Sequence, residues 1–257
     1  MLKTIHIIGS MAGGGAERFY VRLVRALAER GGIDITAVCQ PGSTVARLLG
    51  DACPVHPVRM RSPYDLFARW RIGRFCRRQG AAVVQTYMGR ATRLTHLAPD
   101  GQCVHVSRLG GYYKPKGYRH AHAWIGNTAG ICEYLVGHGF DSERVFHIPN
   151  FVEPATPVSQ DVRRETRESW GIPPDAAVIT VVGRLHENKG FPELLQAVAA
   201  LRRAGKLDHV RVACVGDGPL RGELKKMTSE LDLDRVVVWT GWQDEPEQFY
   251  ALADLVV

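Results

Sequence analysis

Val181-Val182-Gly183-Arg184-Leu185-His186-Glu187-Asn188-Lys189-Gly190 joins an apolar strand to a helix through a cationic turn. The apolar run over residues 177–182 reads as a buried strand, and Gly183 breaks it. From Gly190 to Ala204 the period is helical, with Phe191, Leu194, Leu195, Val198 and Leu201 on one face. Arg184 and Lys189 are therefore expected at the carboxyl end of a strand, just before a helix N-terminus. Ligands bind there in open α/β sheets. Helix N–H groups favour an anion, and the two cations add charge and directed donors. The local reading is a phosphate or diphosphate site. A solvated Arg and Lys on a polar surface loop is the alternative.

Outward from this turn, strand and helix alternate along the whole chain. The first half predicts strands over 4–8, 33–38, 55–60, 82–86, 102–107, 123–125 and 144–148. Helices are predicted over 16–30, 45–49, 64–79 and 128–137. The second half predicts a helix over 161–170, then strand 177–182, helix 191–204, strand 209–215, helix 220–231, strand 235–240 and helix 245–252. A last strand begins at residue 254. Alternation of this kind means parallel, doubly wound α/β sheets covered on both faces. Pro149, Pro154 and Pro157 mark an interdomain connection, which gives domains over 1–155 and 156–257. The sequence stops inside an apolar strand, so the second domain is expected to be incomplete and the chain truncated.

Composition fits a soluble enzyme: 257 residues, 45% hydrophobic and 23% charged. No apolar run is long enough for a membrane span. The sequence opens on a strand, so no signal peptide is expected. Six scattered cysteines without a Cys-x-x-Cys pair argue against zinc and a redox dithiol, and suggest buried thiols in a reducing, cytoplasmic setting. The net charge is +7, and the cations crowd the first half. Between residues 59 and 93, Arg59, Arg61, Arg69, Arg71, Arg74, Arg77, Arg78, Arg90 and Arg93 face Asp65 alone, with Leu66, Phe67, Trp70, Ile72 and Phe75 interleaved. One reading is a basic amphipathic helix for an anionic membrane surface or an anionic acceptor. The other is a core-facing helix with arginines on its wet side. No nucleic-acid partner is expected, since no binding motif of that class is present.

Three more glycine turns follow strands. Gly13-Gly14-Gly15, ahead of Ala16-Glu17-Arg18, allows close backbone approach before a helix, or is a tight structural turn. It is neither a Walker loop nor a dinucleotide fingerprint. Glu17 fits a first-turn carboxylate. The turn Arg108-Leu109-Gly110-Gly111-Tyr112-Tyr113-Lys114 combines a cation, flexible backbone and aromatics, which suits a sugar or phosphate acceptor or a plain sheet-sealing loop. In Gly216-Asp217-Gly218-Pro219-Leu220 the glycines suit close approach to a nucleotide, Asp217 a helix cap and Pro219 the first helical turn. Gly241-Trp242 in the last turn is placed to meet a base, or Trp242 only packs.

The ordered succession of Gly-Gly-Gly-Ala-Glu, Ile148-Pro149-Asn150, Gly183-Arg184-Leu185 with Lys189-Gly190, Gly216-Asp217-Gly218, Gly241 and Ala253-Asp254 resembles the retaining family 4 glycosyltransferases of the GT-B fold. The resemblance implies two Rossmann-like domains facing a cleft, with the nucleotide-sugar held mainly by the second and the acceptor by the first. It implies sugar transfer with retention from a UDP- or GDP-sugar to a cell-envelope or lipid-linked glycan, such as lipopolysaccharide, at the inner face of the cytoplasmic membrane. Arg184 and Lys189 match the family's diphosphate-binding pair. Gly13, Gly14, Gly15, Gly183, Gly216, Gly218, Gly241 and Trp242 are the other donor-side candidates; Arg108, Gly110, Gly111 and Tyr112 are the acceptor-side ones, with Arg108 also a catalytic candidate. No metal and no cofactor are implied, because cations and backbone donors stabilise the leaving diphosphate. A family histidine after the strand ending near Ser107 is replaced here by Arg108-Leu109-Gly110-Gly111, with His105 inside the strand. The family's glutamate pair is expected beyond residue 257. A nucleotide-sugar epimerase of similar fold and a non-catalytic nucleotide- or lipid-binding fragment are the rival readings.

Overall fold

The computed structural model describes residues 1–98, 103–152, 158–243 and 246–257. It divides into two compact units, Met1–Val152 and Glu153–Val257. Predicted features at residues 102, 154, 157, 244 and 245 lie outside the described residues.

The first unit runs β1 (Leu2–Ile8), α1 (Gly15–Arg30), β2 (Ile33–Cys39), α2 (Thr44–Leu49), β3 (Val55–Pro57), α3 (Leu66–Gln79), β4 (Val83–Tyr87), α4 (Met88–Leu94), β5 (Val104–Leu109), β6 (Ala123–Gly126), α5 (Ala129–Gly137) and β7 (Val145–His147). The strands form one parallel sheet ordered β3-β2-β1-β4-β5-β6-β7. Chain order reverses between β1 and β4, so the crevice outside their carboxyl ends is the place for a ligand. Ile5 and Ile7 of β1 pack under α3 and α4 with Val84, Ile72 and Leu94. Ile8 packs on the opposite face with Tyr20, Val24 and Leu49 of α1 and α2. With both faces covered, every residue of β1 from Thr4 to Ile8 is buried, His6 included.

The second unit runs α6 (Gln160–Ser169), β8 (Ala177–Val182), α7 (Phe191–Arg203), β9 (Val210–Val215), α8 (Arg221–Glu230), β10 (Val237–Gly241), α9 (Glu247–Leu252) and β11 (Leu255–Val256). Its parallel sheet is ordered β10-β9-β8-β11, with the reversal between β8 and β11. Phe191, Leu195 and Val198 of α7 are buried against β8 and β9, as the helical period predicts.

Three elements differ from the sequence expectation. β3 stops at Pro57, which cannot donate to a ladder. A seven-residue helix, α4, follows β4 directly, where no helix is predicted. The chain enters it through Met88 at φ +66°, a conformation rare outside glycine and unreadable from residue type. β5 extends to Leu109, past the expected end at Ser107. Among the described residues no helix is long and apolar enough to cross a membrane.

Candidate functional site

In the second unit the turn after β8 is built around its neighbour. Gly183 N–H donates to Val215 O at 2.9 Å and Leu185 N–H to Asp217 O at 3.1 Å, while Leu220 N–H donates back to Leu185 O at 3.2 Å. A single 3-10 turn, Glu187–Lys189, leads to Gly190 at φ +67°, and α7 starts at Phe191. No side chain caps the first turn of α7, so its amide dipoles remain available to an anion. Arg184 and Lys189 are both exposed. Among the described residues neither has an ion-pair or hydrogen-bond partner. Two unneutralised cations flank an uncapped helix start at the reversal point of the sheet, which is the arrangement an oxyanion needs.

The adjacent glycines have a structural role within the unit. Gly216 sits at φ +138°, and a Cβ there would overlap the Gly183 carbonyl oxygen; a Cβ on Gly218 would overlap that of Leu185. The backbone of the neighbouring turn approaches these glycines closely. They let the β8 and β9 turns lie against each other, and Gly216 N–H continues the lacing to Gly241 O at 2.8 Å. Gly241 itself takes φ +73°. Asp217 does not cap α8, whose N-cap is Leu220. Its carboxylate accepts from Gly218 N–H at 2.7 Å and pairs with Arg221 at 2.8 Å. Pro219 accordingly precedes the helix and is not part of its first turn. Trp242 is exposed beyond β10.

In the first unit Gly14 is the N-cap residue of α1, again without a side-chain cap. Glu17 in that first turn is buried, and its Oε2 lies 3.1 Å from where a Gly14 Cβ would be. Gly13 faces Thr44, and Gly15 faces open space. The carboxylate complements the helix dipole locally. Beside this loop a cleft of about 140 Å³ is lined by Phe19, Met88, Arg108, Tyr113, Asn127 and Asn150, among others.

Arg108 is not the loop cation its sequence position suggests. It is a buried residue of β5. Its guanidinium donates to Ile148 O at 2.8 Å and Asn150 Oδ1 at 2.9 Å, and stacks 4.4 Å from the Phe19 ring centre. Burial lowers its pKa from the usual arginine value. Arg108 thus fastens the segment Ile148–Asn150 to the sheet while one face borders the cleft. Gly110 lines the cleft. Gly111 lies under the Tyr113 ring, and Tyr112 turns away to pack edge-on against Tyr134 at 5.3 Å. Of the two loop tyrosines it is Tyr113 that lines the cleft, together with Tyr87 of β4. Asn127, with a buried Oδ1 that has no partner among the described residues, and Met88 complete it. Residue type alone did not single these two out; Asn150 was visible only as part of Ile148-Pro149-Asn150. His105 is fully buried, with Nε2 on Thr86 Oγ1 at 3.0 Å, and desolvation first, then neighbouring imidazoles, pushes its pKa down to about 3.

Another cavity, of about 730 Å³, lies at the amino ends of the second sheet, lined by Arg163, Arg164, Arg167 and Asp254 among others, away from these turns. Among the described residues no group of three or more His, Cys, Asp or Glu is placed to hold a metal.

Two parallel, doubly wound sheets, the second with two exposed cations in the turn at its reversal point, belong to the fold class whose ligands sit outside the carboxyl ends of the strands. Residues 13–156 match the model for glycosyltransferase family 4, and residues 162–257 match that for glycosyl transferases group 1. The chain belongs to the family 4 glycosyltransferases and has the GT-B type of α/β fold. It is a glycosyltransferase homologous to lipopolysaccharide core biosynthesis enzymes. It is 33% identical to the lipopolysaccharide core biosynthesis glycosyltransferase LpsE of Rhizobium meliloti strain 1021, over 95% of this chain and 68% of that protein. It is 30% identical to LpsD of the same organism, over 100% of this chain and 71% of that one. The crystal structure of Anabaena HepE in complex with UDP and glucose superposes with a TM-score of 0.83 at 18% identity, over 100% of this chain and 73% of that one.

Proposed function

We propose that this glycosyltransferase moves a sugar, with retention of anomeric configuration, from a UDP-sugar to a lipopolysaccharide-core type acceptor. The observation that carries the proposal is the unpaired Arg184–Lys189 couple at the uncapped start of α7. In the reaction the anomeric carbon's bond to the donor phosphate breaks, a bond to an acceptor hydroxyl oxygen forms, and the hydroxyl's proton passes to the departing phosphate oxygen. Negative charge then gathers on the departing diphosphate. Fixed cations and amide dipoles aimed at that charge stabilise the transition state more than the ground state. The UDP, glucose and UDP-glucose found in HepE crystals support a UDP-sugar as donor. The LpsE and LpsD names support the acceptor class.

The outward face of α3 supports peripheral attachment at an anionic membrane, in the cytoplasm. Its buried stripe is Ala68, Ile72, Gly73 and Cys76. This leaves Leu66, Phe67 and Trp70 exposed at 76%, 67% and 54%. Arg74 lies 5.5 Å from the Trp70 ring centre, and Arg77 and Arg78 close the helix. Apolar wedges ringed by arginines match an anionic headgroup layer.

The deciding experiment is transfer from UDP-[13C]glucose to deacylated lipopolysaccharide core, with the new anomeric linkage read by NMR. A β linkage from the α donor overturns retention. UDP released at the same rate without acceptor overturns transfer.

A further inference from the structure

The first unit contains a second concentration of positive charge that the donor reading does not use. A cavity of about 470 Å³ opens between the start of α3, the end of α4 and the Lys114–His120 connection. Arg69, Arg93, Lys114 and Lys116 line it, and among the described residues none of the four is in an ion pair. Asp65 is the acid on its wall, and that carboxylate is occupied: it accepts from Arg61 N–H at 3.2 Å and from Ala68 N–H at 3.0 Å as the α3 cap.

The floor is a stacked pair of imidazoles, His96 on His120 at 3.8 Å between ring centres. Nε2 of each faces a backbone carbonyl, Arg93 O at 3.1 Å and Thr92 O at 2.8 Å. That assigns the ring proton to Nε2 and leaves Nδ1 of His96 as an acceptor for a hydroxyl. Desolvation, then His120, then Arg69 push the His96 pKa down to about 4, so the ring is neutral at pH 7. Tyr64 stands at the rim, 77% exposed, with Arg93 at 5.9 Å from its ring centre.

We propose that this cavity is a second anion site that takes a sugar phosphomonoester, a phosphorylated sugar of the acceptor if the acceptor-side reading of this unit holds. The cations supply phosphate recognition, with the Arg forks matching phosphate oxygens in a way that lysine alone does not. An exposed aromatic face and a hydroxyl acceptor suit the sugar ring. The volume lies within the roughly 300–1,000 Å³ range of small-ligand pockets.

Calorimetric titration of the full chain tests this, with glucose 6-phosphate, glucose, inorganic phosphate and UDP as probes. Glucose 6-phosphate is expected to bind more tightly than glucose or inorganic phosphate. The R69A/K116A variant should lose at least tenfold of that affinity while binding UDP like the parent, with a parental thermal melt of both units showing that it folds. R184A/K189A should bind glucose 6-phosphate like the parent. Equal glucose 6-phosphate affinity in the parent and R69A/K116A overturns the site. Equal affinity for inorganic phosphate overturns its sugar part. Tight binding to phosphatidic-acid vesicles that R69A/K116A abolishes, with no glucose 6-phosphate binding, assigns the phosphate to a lipid and also overturns that part. Failure of the donor reading shows separately, as UDP affinity unchanged by R184A.

Discussion

The loop after β1 and the loop after β8 are the same architectural element used in opposite ways. Each follows a parallel strand at the reversal point of its sheet, and each leads into a helix with no side-chain cap. After β8 the helix start faces Arg184 and Lys189, both exposed and unpaired among the described residues. After β1 the helix start already has a carboxylate, that of buried Glu17, beside Gly14. The cation of that unit's cleft, Arg108, is fixed to Ile148 and Asn150. Glycines and a helix dipole are common to both. The side-chain charges make the difference: the first helix start has a carboxylate beside it, and the second has two cations.

The glycines themselves give the largest expected contrast. Gly216→Ala forces a methyl into the Gly183 carbonyl at a φ hostile to alanine. We expect a loss of at least about 3 kcal/mol, in the range of severe backbone and overpacking mutations. Gly15→Ala adds a methyl in open space at the first helical residue. Its expected effect lies between neutral and about 1 kcal/mol of stabilisation. Urea unfolding of the two variants measures both. A mild Gly216→Ala phenotype would mean that the two turns separate readily.

Next in size are the arginines. Arg184→Ala should weaken UDP binding by about 1.5–3 kcal/mol, the scale of charge-assisted hydrogen bonds, with unfolding unchanged. Arg108→Ala should do the reverse. It leaves Ile148 O and Asn150 Oδ1 without their donor, costing about 1–3 kcal/mol of stability, with UDP affinity unchanged. Calorimetry and thermal melts on both variants separate the roles, and a stable Arg108→Ala that loses UDP binding would merge them.

These contrasts also show what the sequence could and could not disclose. Periodicity was enough for the alternation, for the buried stripe of α7 and for the cationic turn after β8, because each depends on residues adjacent in the chain. The interlocking of Gly216 with Gly183 depends on two loops brought together by β8–β9 pairing, so that packing role has no signature in the sequence. Arg108 read as a loop residue because glycines follow it, yet β6 pairing carries β5 on to Leu109. Met88 and α4 were invisible, since a positive φ at methionine is imposed by surrounding packing and has no signature in residue type. Tyr112 and Tyr113 are chemically equivalent in sequence, and only the fold turns one toward the cleft.

A pH contrast of intermediate size follows from buried histidines in the first unit. Burial lowers His6 to about 4, and burial with neighbouring imidazoles lowers His105 to about 3. Unfolded, each titrates near 6.5. Between those values the unfolded chain binds protons that the folded unit does not, so stability falls as pH drops below about 6.5. Each group contributes a slope of about 1.4 kcal/mol per pH unit until its folded pKa is reached. Melting temperatures from pH 7 to 4.5 should fall, and His105→Asn should flatten the slope. A flat profile in the parent would show that neither ring is held neutral.

The smallest effect, that of Arg74→Ala, belongs to the outward face of α3 and is set against a large one on its buried face. Ile72→Ala removes a fully buried side chain and should cost about 2–5 kcal/mol of stability without touching lipid binding. Arg74→Ala sits on the exposed face beside Trp70 and should leave stability alone. Near an anionic surface one basic residue contributes about 1 kcal/mol, so its removal should lower affinity for phosphatidylglycerol vesicles about fivefold. The loss should shrink as salt rises, because surface attraction is screened within about 10 Å at 0.1 M. Sedimentation of both variants with anionic and neutral vesicles gives the answer. Equal binding of the parent to the two vesicle types would make the arginines of α3 solvent-facing charges and remove the membrane from the role of this face.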